Sequence, residues 1–526
     1  MATTTTTAAP ASFSEPPTRV PSPATTPAAR DIPTDFRSSL AAWWASSGYR
    51  DARIAEDRML RRLSYYSPAP PEPSKSWFSW SGSHAPAEDK HFVPPIDPST
   101  GFAATVRNVF IPTPDPALAP TVPDVNPDSR ASSLKSGTSS HHHGHKKHCH
   151  KNHQDYINTL EITRKDNADS KEAVVVLHGY AAAQGFFFRN WDPIARSAAA
   201  TGRRTFFLDW LGMGLSSRPN PALLAAPSNA PVEQRVARAE HFFISSLEEW
   251  RASVGIEKMV LVGHSLGGYL STAYALRYPD RVSSLILVSP VGIPRGELNL
   301  NGSPGPAPAT KAKPAQEGAD NVDEGIAGNP EALEAAVTGE DAHGEAKQWQ
   351  QERENSAFRR GATKMFLWGW DKGLSPFSVL RGIGPWGPML VGKYSSRRFA
   401  TQSPDDVRDL HSYIYGTSTL KGSGEFCISH ILKPGAYARL PLIDRIDKLK
   451  IPVSFLYGDN DWMDLDGGRD AVKVLEKAGN AAGSFHVVPQ AGHHLYLDNA
   501  EVTNGIIDRA IRTAPRSYEY TPAKQT

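Results

Sequence analysis

The segment Val260-Leu-Val-Gly-His-Ser-Leu-Gly-Gly268 constrains this chain more than any other feature. An apolar run ends in Gly263-His264-Ser265-Leu266-Gly267, and a helical run, Tyr269–Tyr278, follows at once. A serine flanked in this way fits a sharp strand-to-helix turn, where side chains at the glycine positions would clash. The turn exposes the hydroxyl, and the helix behind it aims its N-terminus at the reaction centre and favours negative charge there. The alternative is an ordinary Gly-rich turn with a capping serine, which would require nothing further from the chain.

Further elements do follow. Unalternated apolar runs, expected of strands buried on both faces, occur at Ala173–Leu177, Thr205–Leu208, Met259–Val262, Leu285–Val288, Val453–Tyr457 and Phe485–Val488. Val106–Pro112 and Ile157–Thr163 read as an opening antiparallel pair. Helix-length segments lie between the runs, including Val232–Trp250 with Val236, Phe243, Leu247 and Trp250 on a 3.6-residue period. Alternation of this kind predicts an α/β fold: a mostly parallel central sheet with helices on both faces. It pauses between Pro294 and Asp444, which predicts an inserted helical lid over 294–446. The sheet-bearing core then falls into 65–293 and 447–515, with a tail at 516–526.

Composition explains what interrupts this core. The apolar fraction of 39% falls below the roughly 45–50% of globular chains, and 41 Gly and 44 Pro are present. Residues 1–35 hold almost no large apolar side chains, which favours a disordered tail. Arg19, Arg30 and Arg37 in an acid-poor setting also fit a mitochondrial presequence. Residues 113–155 and 297–350 read as disordered insertions, the second acidic. The first carries His141, His142, His143, His145, His148, Cys149, His150 and His153, without the spaced ligand pairs of a structural zinc site, so no metal is expected. In 36–64, Trp43, Trp44 and apolar partners accompany Arg50, Arg53, Arg58, Arg61 and Arg62. This reads either as a basic amphipathic helix at a membrane surface or as a helix packed on the main domain. The two cysteines, Cys149 and Cys427, make no disulfide framework and favour a reducing compartment. A net charge of +2 argues against nucleic acid as a partner. No apolar stretch approaches the ~18 residues of a membrane span, so the chain is expected to lie on a membrane rather than cross it.

A serine hydroxyl is a poor nucleophile at neutral pH, so a base must take its proton and a carboxylate must orient that base. Both candidates follow Ser265 in the chain. The strand Val453–Tyr457 opens into Gly458-Asp-Asn-Asp-Trp-Met-Asp464, where Asp461 is the favoured acid, Asp464 the runner-up and Asp459 third. Gln490-Ala-Gly-His-His494 follows the last strand and offers His493, ahead of His494, as base. The order serine, aspartate, histidine is that of α/β-hydrolases. Two amides must hold the oxyanion, and Leu266 and Tyr180, the latter in His178-Gly179-Tyr180, are placed to supply them. Asp209 and Ser216, in the glycine-containing loop after the next strand, read as structural.

These residues resemble a known family. Gly263-His-Ser-Leu-Gly-Gly-Tyr-Leu270, Pro376-Phe-Ser-Val-Leu-Arg-Gly-Ile-Gly-Pro-Trp-Gly-Pro388 and Ala436-Tyr-Ala-Arg-Leu-Pro-Leu-Ile-Asp-Arg445 look like the phospholipid-processing branch of the α/β-hydrolase-domain family. That branch includes lysophosphatidic acid acyltransferases, N-acyl-phospholipid lipases, a lipase co-activator and, closest in kind, the fungal cardiolipin-specific phospholipase. The resemblance also covers Ala55-Glu-Asp-Arg-Met-Leu60 and an H-x4-D motif, matched by His493 and Asp498 and associated in the family with acyl transfer. A structural alternative makes Asp498 the N-cap of the last helix. The resemblance implies a serine-dependent phospholipase acting on cardiolipin or another membrane glycerophospholipid without a cofactor. Acyltransfer to lysophosphatidic acid and a non-catalytic co-activator scaffold are the alternatives. Arg381, Lys393, Arg397 and Arg398 read as phosphate contacts or as a solvated basic face, and Phe366, Leu367, Trp368, Trp370, Phe377 and Trp386 as an apolar lid. The expected place is the mitochondrial inner membrane, with the cytosol or a lipid-droplet surface as alternative.

Overall fold

The computed structural model describes residues 27–46, 48–68, 94–124, 154–221, 226–227, 229–296, 369–370 and 375–516. The His-rich tract, the acidic insertion and Phe366, Leu367 and Trp368 lie outside these residues.

Eight strands form one sheet in the order β1-β2-β4-β3-β5-β6-β7-β8. β1 (Phe102–Pro112) and β2 (Gln154–Arg164) pair antiparallel over their full length, from Phe102 against Arg164 to Pro112 against Gln154. β2 also runs antiparallel to β4 (Arg204–Leu208), and all later pairs are parallel: β3 (Glu172–Leu177), β5 (Lys258–His264), β6 (Val282–Val288), β7 (Val453–Gly458) and β8 (Gly483–Val488). Each expected apolar run is therefore a strand of this sheet. Consecutive side chains go to opposite faces, so β3 sends Val175 and Leu177 to one core and Val174 and Val176 to the other. Helices Val232–Ser253 and Leu266–Arg277 contribute to the first core, and Trp191–Ala200 and Ala500–Thr513 to the second. One strand departs from expectation: β8 is the edge of the sheet, with most of its residues half-buried and Val487 exposed. With no strand beyond it among the described residues, its apolar run covers one face rather than filling two.

The N-terminal segment resolves into two helices, α1 (Phe36–Ala45) and α2 (Gly48–Leu60), instead of one basic amphipathic helix. Helix α2 is docked. Ala52, Ala55, Met59 and Leu60 are buried in the second core beside Leu410, Tyr413 and Ile414 of the helix Pro404–Ser418. Four of the five arginines that suggested a membrane-facing surface are paired within the chain: Arg53 with Glu56, Arg58 with Asp409, Arg61 with Asp57, and Arg62 with Asp406 and Asp409; Arg50 is exposed. Only α1 keeps an exposed apolar face, formed by Phe36, Leu40, Trp43 and Trp44.

The docking of α2 depends on small residues. A Cβ on Gly416 would lie 2.7 Å from the Gly48 carbonyl oxygen and 2.8 Å from the Ala52 Cβ. Gly416→Ala is therefore expected to destabilise the fold by about 1–3 kcal/mol through overpacking. Thermal unfolding checks this, and an unchanged Tm would mean that the two helices are not in contact in solution.

Candidate active site

Ser265 sits between the last residue of β5 and the helix Leu266–Arg277, which starts directly after the serine and not at Tyr269. Its backbone is strained, at φ 52° and ψ −116°. Four hydrogen bonds hold it there: the Ser265 amide donates to Val288 (2.9 Å), and its carbonyl accepts from Gly268 (3.0 Å), Tyr269 (3.2 Å) and Val291 (3.3 Å). The flanking glycines are demanded by contact. A Cβ on Gly267 would stand 2.4 Å from the Leu177 carbonyl oxygen, and one on Gly263 would stand 2.5 Å from that of Gly267.

His493 and Asp461 arrive from two loops at the ends of β7 and β8. The His493 Nδ1 and the Asp461 Oδ1 are 3.2 Å apart, and both side chains are buried. Asp461 also accepts from the Met463 amide (3.1 Å) and from the Ser289 hydroxyl. Burial works to raise the Asp461 carboxyl, but His493 and these hydrogen bonds outweigh it and hold the carboxyl below the usual aspartate range. The His493 ring lies between Trp462 (5.1 Å between centroids) and His264 (4.8 Å), the neighbour of Ser265. The His264 Nε2–H donates to the His493 carbonyl oxygen over 3.1 Å. Burial pushes His264 and His494 well below the ordinary histidine range, so neither carries charge beside the base near neutral pH.

The other candidate acids have different partners. Asp464 caps the helix Leu465–Lys477, accepting from the Asp466 amide (3.0 Å), which removes it as the runner-up acid. Asp459 accepts from the amides of Gln490 and Ala491, both at 3.0 Å, and so anchors the histidine loop from the β7 side. Asp498 anchors it from the other side by accepting from the Gly492 amide (3.0 Å), next to His493. Asp498 is not the N-cap of the last helix. Asn499 is, through the Val502 amide. His494 packs against Phe186, His264 and Tyr496.

The His178-Gly179-Tyr180 loop presses on the nucleophile. A Cβ on Gly179 would lie 2.8 Å from the Ser265 Cβ and 2.9 Å from the His264 Nδ1. Among the described residues, no backbone or side-chain acceptor is recorded for the amides of Tyr180 and Leu266. Two free donors beside a serine can stabilise an anion forming at an attacked carbonyl. Asp209 and Ser216 are buried behind this loop. Asp209 accepts from the amides of Gln184 and Leu215, and Ser216 bridges Asn158 and Asp209.

Two of the four basic residues of the lid segment are committed elsewhere, and Arg397, like Lys393, is exposed. Arg381 pairs with Glu425 and Arg398 with both oxygens of Asp498, which corrects their reading as phosphate contacts. Sequence reasoning missed Ser289, which holds the far oxygen of Asp461 from a φ of 44°. It also missed Glu56, which is fully buried. Ser289 had a signal in its place directly after β6; Glu56 had none, because charge in a basic helix reads as a solvated face.

The site thus brings a serine on a strained elbow, an aspartate–histidine pair and two free amides together on a mostly parallel sheet. Residues 172–500 match the family described as alpha/beta hydrolase fold, and the chain belongs to that family. Its relatives are the phospholipid-processing members. The chain is 31% identical to a probable 1-acylglycerol-3-phosphate O-acyltransferase of Oryza sativa subsp. japonica, over 68% of this chain and 70% of the relative. It is 32% identical to the 1-acylglycerol-3-phosphate O-acyltransferase of Arabidopsis thaliana, over 66% and 68%. It is 29% identical to the human (lyso)-N-acylphosphatidylethanolamine lipase, over 68% and 83%.

Proposed function

We propose that this protein is a serine-dependent acyl-ester hydrolase of membrane glycerophospholipids. The observation that carries the reading is the His493–Asp461 hydrogen bond beside a Ser265 held at positive φ. In this reading the Ser265 Oγ attacks the ester carbonyl carbon while His493 takes its proton. Asp461 fixes the ring with its proton on Nδ1, leaving Nε2 to act as base. The Leu266 and Tyr180 amides hold the oxyanion. His493 then returns the proton to the departing lysophospholipid oxygen, leaving an ester on Ser265 that water cleaves.

The lipid substrate is supported by the three relatives, whose names all refer to phospholipid acyl groups. It is also supported by the exposed face of α1, where Trp44 is 82% exposed. Phe36 extends that face onto Trp386 of the lid, 4.5 Å between ring centroids, and Trp386 is 51% exposed. Paired tryptophans beside further apolar side chains suit a membrane interface. The head group assigned first, on the sequence resemblance, is cardiolipin, with the mitochondrial inner membrane as its place and the lipid-droplet surface as the alternative. Acyl transfer to a lysophospholipid hydroxyl is the second reading, favoured by the two plant acyltransferases. A co-activator scaffold would not need the intact Ser265.

Mass spectrometry of products formed on cardiolipin liposomes, with and without lysophosphatidic acid and acyl-CoA, tests this. Free fatty acid and lysocardiolipin that disappear in Ser265→Ala are expected. Serine-dependent phosphatidic acid would move the assignment to acyltransferase. Products that persist in Ser265→Ala, or none in either protein, would remove the serine-hydrolase reading for these lipids.

A further inference from the structure

The family match begins at residue 172, yet a carboxylate from far upstream reaches beneath the catalytic centre. Glu56, on α2, is fully buried. Its Oε1 accepts from the Gln184 Nε2 (2.6 Å) and the Asn158 Nδ2 (2.9 Å), and its Oε2 accepts from Arg53 (2.6 Å). The same Asn158 amide group donates to the Asp209 Oδ2 (2.9 Å), and the Asp209 Oδ1 accepts from the Gln184 backbone amide (2.7 Å). Gln184 is thus held twice, at its side chain by Glu56 and at its backbone by Asp209.

Gln184 closes the loop that carries the Tyr180 amide. At the front of that loop, His178 accepts from the Trp210 amide (3.0 Å) and its carbonyl accepts from the Trp210 indole (2.9 Å). Between the two pins, Ala181 sits at φ 61°, a conformation that an L-residue leaves unless its surroundings hold it. A Cβ on Gly185 would meet the Tyr413 ring at 2.6 Å, and the Gly185 amide donates to the Tyr413 hydroxyl at 3.3 Å, so the rear of the loop is clamped as well. Simple docking of α2 needs none of this. The burial of Ala52, Ala55, Met59 and Leu60 already attaches the helix, and placing a carboxylate in that interior carries a desolvation penalty.

We propose that Glu56 is a positioning residue for catalysis: through Gln184 it fixes the strained loop that aims the Tyr180 amide at the oxyanion. The inference rests on the serine-hydrolase reading above. It makes α2 part of the catalytic apparatus, acting through Gln184 rather than directly on the reacting atoms.

The test uses the full chain with Glu56→Gln and, independently, Gln184→Met, which removes the side-chain amide and leaves Glu56 with Arg53 and Asn158. The readouts are kcat and KM on a soluble ester, the inhibition constant of an alkyl boronic acid, and thermal unfolding. A boronic acid adds to the serine as a tetrahedral anion and reports on the oxyanion donors. Loss of one such donor lowers kcat by roughly 10²–10³-fold, so a displaced one is expected to lower it by about 10–100-fold. Boronate affinity should fall in parallel, with KM nearly unchanged, in both variants. Gln184→Met keeps the test decisive if Glu56→Gln does not fold. Folded variants with wild-type kcat and wild-type boronate affinity would overturn the proposal. So would a fall in kcat matched only by a loss of folded protein. Failure of the underlying reading looks different: the wild-type chain itself would show no Ser265-dependent turnover and no boronate inhibition.

Discussion

Asp461→Asn is expected to lower kcat by about 10⁴-fold while leaving the fold intact. The asparagine amide would face the His493 Nδ1 as a donor and hold the imidazole with its proton on Nε2, the nitrogen that has to accept from Ser265. The shape of the site would survive, because Oδ1 and Oδ2 have near-isosteric replacements. The same substitution has a signature in acid. The folded-state Asp461 carboxyl is held low, so its contribution to stability is complete above the unfolded aspartate value near 3.9 and is lost as pH falls through the folded value. The asparagine variant has no such contribution to lose, and its stability should change less over that window. Steady-state kinetics on a soluble ester and denaturant unfolding from pH 7 down to pH 3 measure both. Full activity in the variant would remove Asp461 from the proposed triad.

Gly179→Ala is expected to lower kcat by about 10²–10³-fold, the effect of losing one oxyanion donor. The added methyl would lie 2.8 Å from the Ser265 Cβ and 2.9 Å from the His264 ring, closer than carbon atoms pack. Neither neighbour has room to yield: Ser265 is fixed by four backbone hydrogen bonds, and His264 is fully enclosed and bound to the His493 carbonyl. The loop must therefore move outward and take the Tyr180 amide with it. Kinetics with a soluble ester, beside a circular-dichroism spectrum showing native folding, separate this from general destabilisation. A folded variant with wild-type kcat would show that the Tyr180 amide has no part in the reaction.

Much of this was legible in the chain because strands and elbows are local devices. Apolar runs such as Ala173–Leu177 announce themselves, and the Ser265 turn carries its glycines within five residues. The acid was harder, because Asp459, Asp461 and Asp464 share one short loop and spacing alone ranks them poorly. What separates them is three-dimensional: one binds the histidine loop, one meets the imidazole and one caps a helix. Asp498 shows the same limit. Aspartate before a helix is a reasonable cap, but here Asn499 caps and Asp498 is drawn to the Gly492 amide and Arg398. Arg58 and Arg62 were misread because their partner Asp409 lies on a helix more than three hundred residues downstream, a distance that no local pattern reports, whereas Arg53 and Arg61 pair locally with Glu56 and Asp57.

That distance also sets the order in which the molecule is completed. Arg58 and Asp409 are 351 residues apart in the chain. At about 5–20 residues per second, ribosomal synthesis separates them by roughly 20–70 s. Throughout that interval the nascent helix carries an apolar stripe, Ala52, Ala55, Met59 and Leu60, for which the matching surface has not yet been translated. Contacts of such long range make for slow folding and prolonged exposure of sticky surface. Helix α2 is made long before the helix Pro404–Ser418 on which it packs, and its apolar stripe has no cover from that helix until the later segment emerges.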